Sequence, residues 1–240
     1  MTTTWLDVPP QEYLAPVLRR NRLGHEVASY IRDAIFSGQL KPGEKLPLRL
    51  IGDFLSVSTT PVRDGLLILQ AEGLVVADNH RGFRAAGLTK QDILDRFDLH
   101  AIIAGKLAAR AVPQVSAEFI AHLRQLNASI SENVQLGRND IVEQINYDFH
   151  RVINYQAPDG NSLRSFLQQT ARCIPRRYFG SISGWLGVVE QDHSGIIEAF
   201  DKRDENMVRH RVETHIRVAG ELLAQHLESV GTFRSTLRPE

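Results

Sequence analysis

At 240 residues, 42% hydrophobic and 23% charged, the chain is long enough to bury a substantial core, in one large domain or two smaller ones. Acidic and basic residues balance at 28 each, and up to residue 87 there are 10 Lys/Arg against 9 Asp/Glu, so neither half is a basic domain and any phosphate contacts must come from a few positioned cations, such as Arg49, Arg63, Arg81 and Arg84. No basic, apolar leader and no run of roughly 18 apolar residues can be read, and a lone Cys173 cannot close an intramolecular disulfide, so no membrane span is expected and the compartment expected is the reducing cytoplasm.

After a proline-punctuated leader (Val8-Pro-Pro, Ala15-Pro), apolar Val27, Ile31, Ala34 and Ile35 recur at helical spacing. Gly38 ends that helix and Pro42-Gly43 marks a turn. A short helix follows, predicted to face Leu50, Ile51, Phe54 and Leu55 inward. The next eight residues hold a tight turn and a new helix start, with Ser58 as N-cap and Pro61 in the first turn. Val62, Leu66, Ile68 and Leu69 carry that helix toward Gly73. Leu74-Val-Val-Ala and Phe83-Arg-Ala-Ala read as the strands of a hairpin. From Thr89 onward helical periodicity takes over, with helices predicted over 89–111, 116–136, 139–156, 160–179, 186–202 and 204–229.

A short helix, a tight turn and a second amphipathic helix form either an ordinary helical hairpin or a helix-turn-helix, to which the strand pair would add a wing. The second helix keeps one apolar face and shows Ser58, Thr59, Thr60 and Arg63 at its start. Small hydroxyls allow close approach to a groove, an Arg can read guanine or clamp phosphate, and helix N-terminal amides favour phosphate. The stretch His25 to Ala86 closely resembles the winged-helix domain of the GntR family of transcription regulators, most clearly in Ile35-Phe-Ser-Gly-Gln-Leu-Lys-Pro-Gly-Glu, Val57-Ser-Thr-Thr-Pro-Val-Arg, Leu69-Gln-Ala-Glu-Gly-Leu-Val and Arg81-Gly-Phe. The resemblance implies DNA contacts from Arg49, Ser58, Thr59, Thr60 and Arg63, and a wing tip, His80-Arg81-Gly82, that enters the minor groove. Two positions depart from that pattern. Thr59 stands where many members carry Arg, and Ser56 replaces a turn glycine. A threonine cannot make the bidentate guanine contact, so the operator sequence is not inherited from relatives.

Three histidines lie on inward helical stripes. His150 follows Asn146 by one turn and sits beside Phe149 and Ile153, His193 lies between Val189 and Ile196, and His215 continues Val208 and Val212. From the pattern alone they are either hydrogen-bonded core residues or ligands. Imidazole suits zinc, nickel, copper or iron, and helical bundles place metals on such faces. Asn146-Tyr-Asp-Phe-His150, Gln191-Asp-His193-Ser-Gly-Ile-Ile and His215 resemble the FCD effector domain of the FadR-type GntR subfamily. In many of its members an Asp and three His hold a divalent metal beneath a carboxylate ligand. That implies a metal set of Asn146, His150, His193 and His215, with zinc or nickel favoured. Asn146 in place of Asp supplies a neutral carbonyl and should lower affinity for a hard cation; Asp148 lies roughly 200° around the helix and is a poor substitute. Where the first helix of the subfamily's effector domain usually carries Arg, this chain has His100, on the stripe Ile93, Phe97, His100, Ala104, Leu107. His100 is either a core histidine or a cavity-lining one, and Arg172, Arg176 or Arg177 could supply the cation for an organic acid.

The fold expected is mainly α, a winged helix-turn-helix over 1–87 followed by an all-helical effector bundle over 88–230 and a tail over 231–240. The function expected is a homodimeric transcription regulator, most simply a repressor, that binds double-stranded operator DNA under control of a small-molecule carboxylate, without a membrane. A metal-free effector pocket is the alternative. A metal-dependent enzyme is the remote one, since no HExxH, nucleophile elbow or phosphate loop occurs.

Overall fold

The structure, a computed structural model, describes residues 10–78, 82–172 and 179–233, with side chains from residue 23 onward. The chain divides into an N-terminal unit ending at Leu88 and a C-terminal unit, Thr89–Gly231. Most of the expected tail, 231–240, lies outside the described residues. No helix among the described residues is long and apolar enough to cross a membrane.

In the N-terminal unit, α1 (Pro10–Phe36), α2 (Leu48–Leu55) and α3 (Thr59–Ala71) are followed by β1 (Val75–Ala77) and β2 (Phe83–Ala85), which pair antiparallel with Val76 opposite Arg84. Val27, Ile31 and Ile35 of α1 meet Val62, Leu66 and Leu69 of α3 in one core, closed by Leu74 and Phe83. A bidentate ion pair joins Arg32 of α1 to Glu72 just beyond α3, with an Nη2 to Oε2 distance of 2.7 Å, and both side chains are largely sheltered.

The inward face of α2 differs from the expectation. Leu50 is 66% and Phe54 71% exposed, while Gly52 is the buried residue of the helix. The stripe that packs is Leu48, Ile51, Gly52 and Leu55, at helical spacing, and Leu50 and Phe54 fall outside it. The reason is a close approach. A Cβ on Gly52 would lie 2.7 Å from the Val57 carbonyl oxygen, so the turn folds directly over a face that only glycine leaves open. At the turn itself Ser56 adopts a left-handed conformation with φ 55°.

The C-terminal unit is all helical among its described residues: α4 (Lys90–Ala111), α5 (Ala117–Gln135), α6 (Asn139–Gln156), α7 (Asn161–Arg172), α8 (Trp185–Asp201) and α9 (Glu205–Ser229). The expected helix over 160–179 is described only to Arg172, and a single 3-10 turn covers Phe179–Ser181. Thr89 caps α4 with a reciprocal capping box to Asp92, and Ser116 and Asp204 cap α5 and α9. Helices α4 and α9 pack closely because glycines face the partner helix: a Cβ on Gly220 would meet the Phe97 ring at 2.5 Å and one on Gly105 the Glu213 stem at 2.5 Å. Arg217 ties the two helices outside the core, to Asp98 at 2.7 Å and Glu213 at 3.1 Å.

The turn geometry predicts opposite effects of two small substitutions. Gly52→Ala should cost the N-terminal unit about 1–3 kcal/mol by overpacking, whereas Ser56→Gly should add about 0.5–1 kcal/mol by relieving a left-handed residue. Urea unfolding of the full chain measures both, and an unchanged Gly52→Ala midpoint would show that the close approach does not set the turn.

Candidate DNA-reading surface and metal centre

The start of α3 is built to be free. Ser58 occupies the N-cap with φ −69° and ψ 165°, yet its hydroxyl makes no capping bond. Ser58, Thr59, Thr60 and Arg63 are all exposed, and Arg49 is exposed on α2. Pro61, Val62, Gly65 and Leu66 bury the opposite face, so the helix is amphipathic in the way groove reading requires. At the wing, Gly82 has φ 107° and its carbonyl accepts from the Asp78 amide at 2.9 Å. His80 and Arg81 lie outside the described residues. Arg84 is not a spare cation: its guanidinium pairs with Asp78 at 2.9 Å and donates to the Gly43 carbonyl at 3.0 Å, fastening the wing to the loop before α2.

In the C-terminal unit, α6, α8 and α9 each turn one histidine to a common point. His150 Nε2 lies 3.1 Å from His215 Nε2 and 3.3 Å from His193 Nε2, and the three rings form a group able to hold a metal ion. His193 is fully buried and stacks on Phe149 at 3.9 Å between centroids, 7° from parallel. His215 Nδ1 lies 3.2 Å from an Asp192 carboxylate oxygen, a contact that assigns the ring proton to Nδ1 and leaves the Nε2 lone pair facing the group. Burial, and then the charges of neighbouring imidazoles, hold His150 and His193 well below the usual histidine range, so both are neutral at pH 7.

The N···N distances allow hydrogen bonds between imidazoles, but a neutral ring has one proton and His215 has placed its own on Nδ1. The spacing also fits a shared cation: ligands at 2.0–2.1 Å with angles between square and tetrahedral sit about 2.9–3.4 Å apart. Asn146 decides between the two. It lies one turn before His150, and its Oδ1 is sealed from solvent without a hydrogen-bond partner, an arrangement that bonding among the imidazoles leaves unexplained. A carbonyl oxygen and three imidazoles are a donor set suited to a divalent first-row cation. Asp148 is occupied on the outer face of α6, taking a hydrogen bond from Gln144 at 3.1 Å.

His100 is half-buried on α4, with Nδ1 2.7 Å from the Thr170 hydroxyl of α7. Desolvation lowers its pKa to about 4, and it is near enough to His150 to oppose that ring's charge. Arg172, by contrast, is exposed and two residues on from Thr170, roughly 200° around the helix, so it is not brought to this site. Arg176 and Arg177 lie outside the described residues. Sequence reasoning missed Asp192 and Thr170. The Asp-His pair at 192–193 was visible, but its carboxylate serves His215 on another helix, and nothing in the sequence aligns Thr170 with His100.

The comparisons agree with this architecture. Residues 23–84 match the profile of the bacterial regulatory proteins, gntR family, and residues 95–218 that of the FCD domain. The HTH-type transcriptional regulator YdhC of Bacillus subtilis is 22% identical over 82% of this chain and 89% of its own length. A D-xylose utilization operon transcriptional repressor of Paenarthrobacter nicotinovorans is 24% identical over 83% of this chain and 88% of its own. The solved structure of E. coli McbR/YncC has the same fold, with a TM-score of 0.63 at 19% identity over 85% of this chain and 98% of its own.

The buried imidazoles give stability a definite pH dependence. With a folded pKa of about 4 against 6.5 in the unfolded chain, His100 binds its proton more readily when unfolded. Its contribution is therefore complete above pH 6.5 and is lost as pH falls toward 4, by up to about 3 kcal/mol; His150 and His193 act in the same direction. Urea midpoints of chelator-treated protein should fall over that window, and less steeply for His100→Gln; parallel pH profiles would contradict the assignment.

Proposed function

The chain belongs to the gntR family of bacterial regulatory proteins and carries an FCD domain, and from that premise we propose how this DNA-binding transcription regulator, not an enzyme, works: as a homodimeric repressor controlled by an organic acid bound beside a divalent metal ion. Two-fold operators are read by dimers, each recognition helix entering one major-groove half-site. Thr59 and Thr60 would contact base edges or phosphate at the helix start. Arg63 and Arg49 would carry the charge-assisted contacts, and the wing tip at His80, Arg81 and Gly82 the minor-groove ones. The cytoplasm is the compartment this function requires.

The observation that carries the sensing half is the convergence of His150, His193 and His215 next to the unpartnered Oδ1 of Asn146. These four residues would hold the cation, zinc or nickel by ligand type. When bound, such a cation supplies a Lewis-acidic anchor for an anionic ligand. The protein donors are all neutral, so the site keeps its full positive charge until an effector carboxylate offsets it. Asp192 holds His215 in the ligating tautomer and Phe149 fixes the plane of His193.

Two measurements test the halves separately. Protein purified without chelator, or incubated with zinc or nickel, should hold about one metal ion per chain by elemental analysis. His193→Ala should abolish this, and Asn146→Asp should raise affinity by about tenfold or more; absence of stoichiometric metal after incubation leaves the metal-free pocket as the reading. On the DNA side, Arg63→Ala should weaken gel-shift affinity for the promoter region upstream of the chain's own gene by about tenfold or more. Unchanged affinity would remove α3 from the recognition role.

A further inference from the structure

The half of the effector pocket away from the histidine cluster is defined by one hydrogen-bonded relay. Thr170 has a single hydroxyl proton, and the Leu167 carbonyl lies 2.9 Å from its oxygen. The same oxygen lies 2.7 Å from His100 Nδ1. If the hydroxyl turned toward the ring, two oxygen lone pairs would face each other at Leu167. With the proton directed to Leu167, the oxygen accepts from His100, and the ring proton belongs on Nδ1. Nε2 is then a bare acceptor. Among the described residues none bonds to it, although the ring lies within electrostatic reach of His150.

Resting on the metal-assisted effector reading above, we propose that His100 is the specificity-determining residue of the pocket: its Nε2 accepts a hydrogen bond from an effector hydroxyl, which makes the ligand a hydroxy-substituted monocarboxylate rather than a dicarboxylate. A second carboxylate at this position would set lone pair against lone pair, because Thr170 locks the ring's proton on the other side. An ammonium group would add positive charge to a site whose cation has only the neutral donors Asn146, His150, His193 and His215. A hydroxyl matches the acceptor and adds no charge. Thr170 acts as a positioning residue, through the tautomer of His100.

The test is isothermal titration calorimetry on the zinc-loaded full chain with matched acids: glycolate against acetate, lactate against propionate, gluconate against hexanoate, together with succinate and glutarate. At least one hydroxy acid should bind about tenfold or more tightly than its deoxy partner and than either dicarboxylate, since a site built to hydrogen-bond a hydroxyl rejects the analogue lacking it. His100→Phe should erase that preference while leaving zinc content and the deoxy acid's affinity unchanged. His100→Arg should move the preference to the dicarboxylates. Thr170→Val, which preserves the side-chain shape, should reduce the hydroxyl preference without altering zinc content, and supplies the readout if a His100 variant does not fold. Equal or tighter binding of deoxy acids or dicarboxylates by the unsubstituted protein overturns the inference, as does a hydroxyl preference that survives His100→Phe. Zinc-dependent binding of acids without hydroxyl preference sinks this inference alone; no binding of any of the acids to zinc-loaded protein sinks it together with the reading on which it rests.

Discussion

Three imidazole nitrogens brought to within about one hydrogen-bond length of each other inside an apolar bundle impose a constraint that the surrounding helices are arranged to meet. Burial keeps His150 and His193 neutral, so each ring has one proton and one lone pair to place. His215 spends its proton on Asp192. What remains is a concentration of lone pairs, joined by the unpartnered oxygen of Asn146. Leaving such groups buried and unsatisfied costs about 1–3 kcal/mol apiece, and a single electrophile serves all of them at once. Neutral rings are also the state in which imidazole can ligate, so the desolvation that destabilises the apoprotein in acid is the same property that keeps the ligands ready.

The scaffold explains why these residues converge. Phe149 lies under His193 as a parallel plate, a position it can hold because it is itself fully buried between neighbouring helices. Helices α4 and α9 approach through Gly105 and Gly220, which sets His100 on one helix and His215 on the other within a single small region. A larger residue at either glycine would push the helices apart. Packing and chemistry are therefore coupled: the helix spacing that closes the core also fixes the distance between the metal-competent cluster and the neutral acceptor opposite it.

The amphipathic pattern was enough to read most elements and the inward placement of all three histidines, because a period of 3.6 residues reports which face is apolar without reference to partners. It failed where the contact is made by a missing side chain. On α2 the packed stripe runs through Gly52, which carries no hydrophobic signal, and the phase shifted to Leu50 and Phe54. It was also silent on Thr170 and Asp192, since pairs joined across helices leave no trace in local spacing. The arginine segment after α7 illustrates a third limit. Composition offered Arg172, Arg176 and Arg177 as cations for an acid, whereas Arg172 is exposed and off the face that carries Thr170. Proximity in sequence to a site does not select the residues that face it.

Thr59 and His100 form a pair across the two units of the chain, without any contact between them being needed. At each, a residue that can accept as well as donate stands where the family resemblance implies an arginine. Guanidinium offers only donors, in a fixed fork that commits a site to guanine in one case and to carboxylate in the other. Threonine accepts and donates through a freely rotating hydroxyl, and a neutral imidazole locked by Thr170 presents a single acceptor. Both substitutions lower the charge of the surface that meets the ligand and raise its demand for a specific complementary proton. The consequence is that the fold and the mode of control pass to this chain with the family, while the two identities that matter to the cell, the operator sequence and the effector, are set by residues peculiar to it.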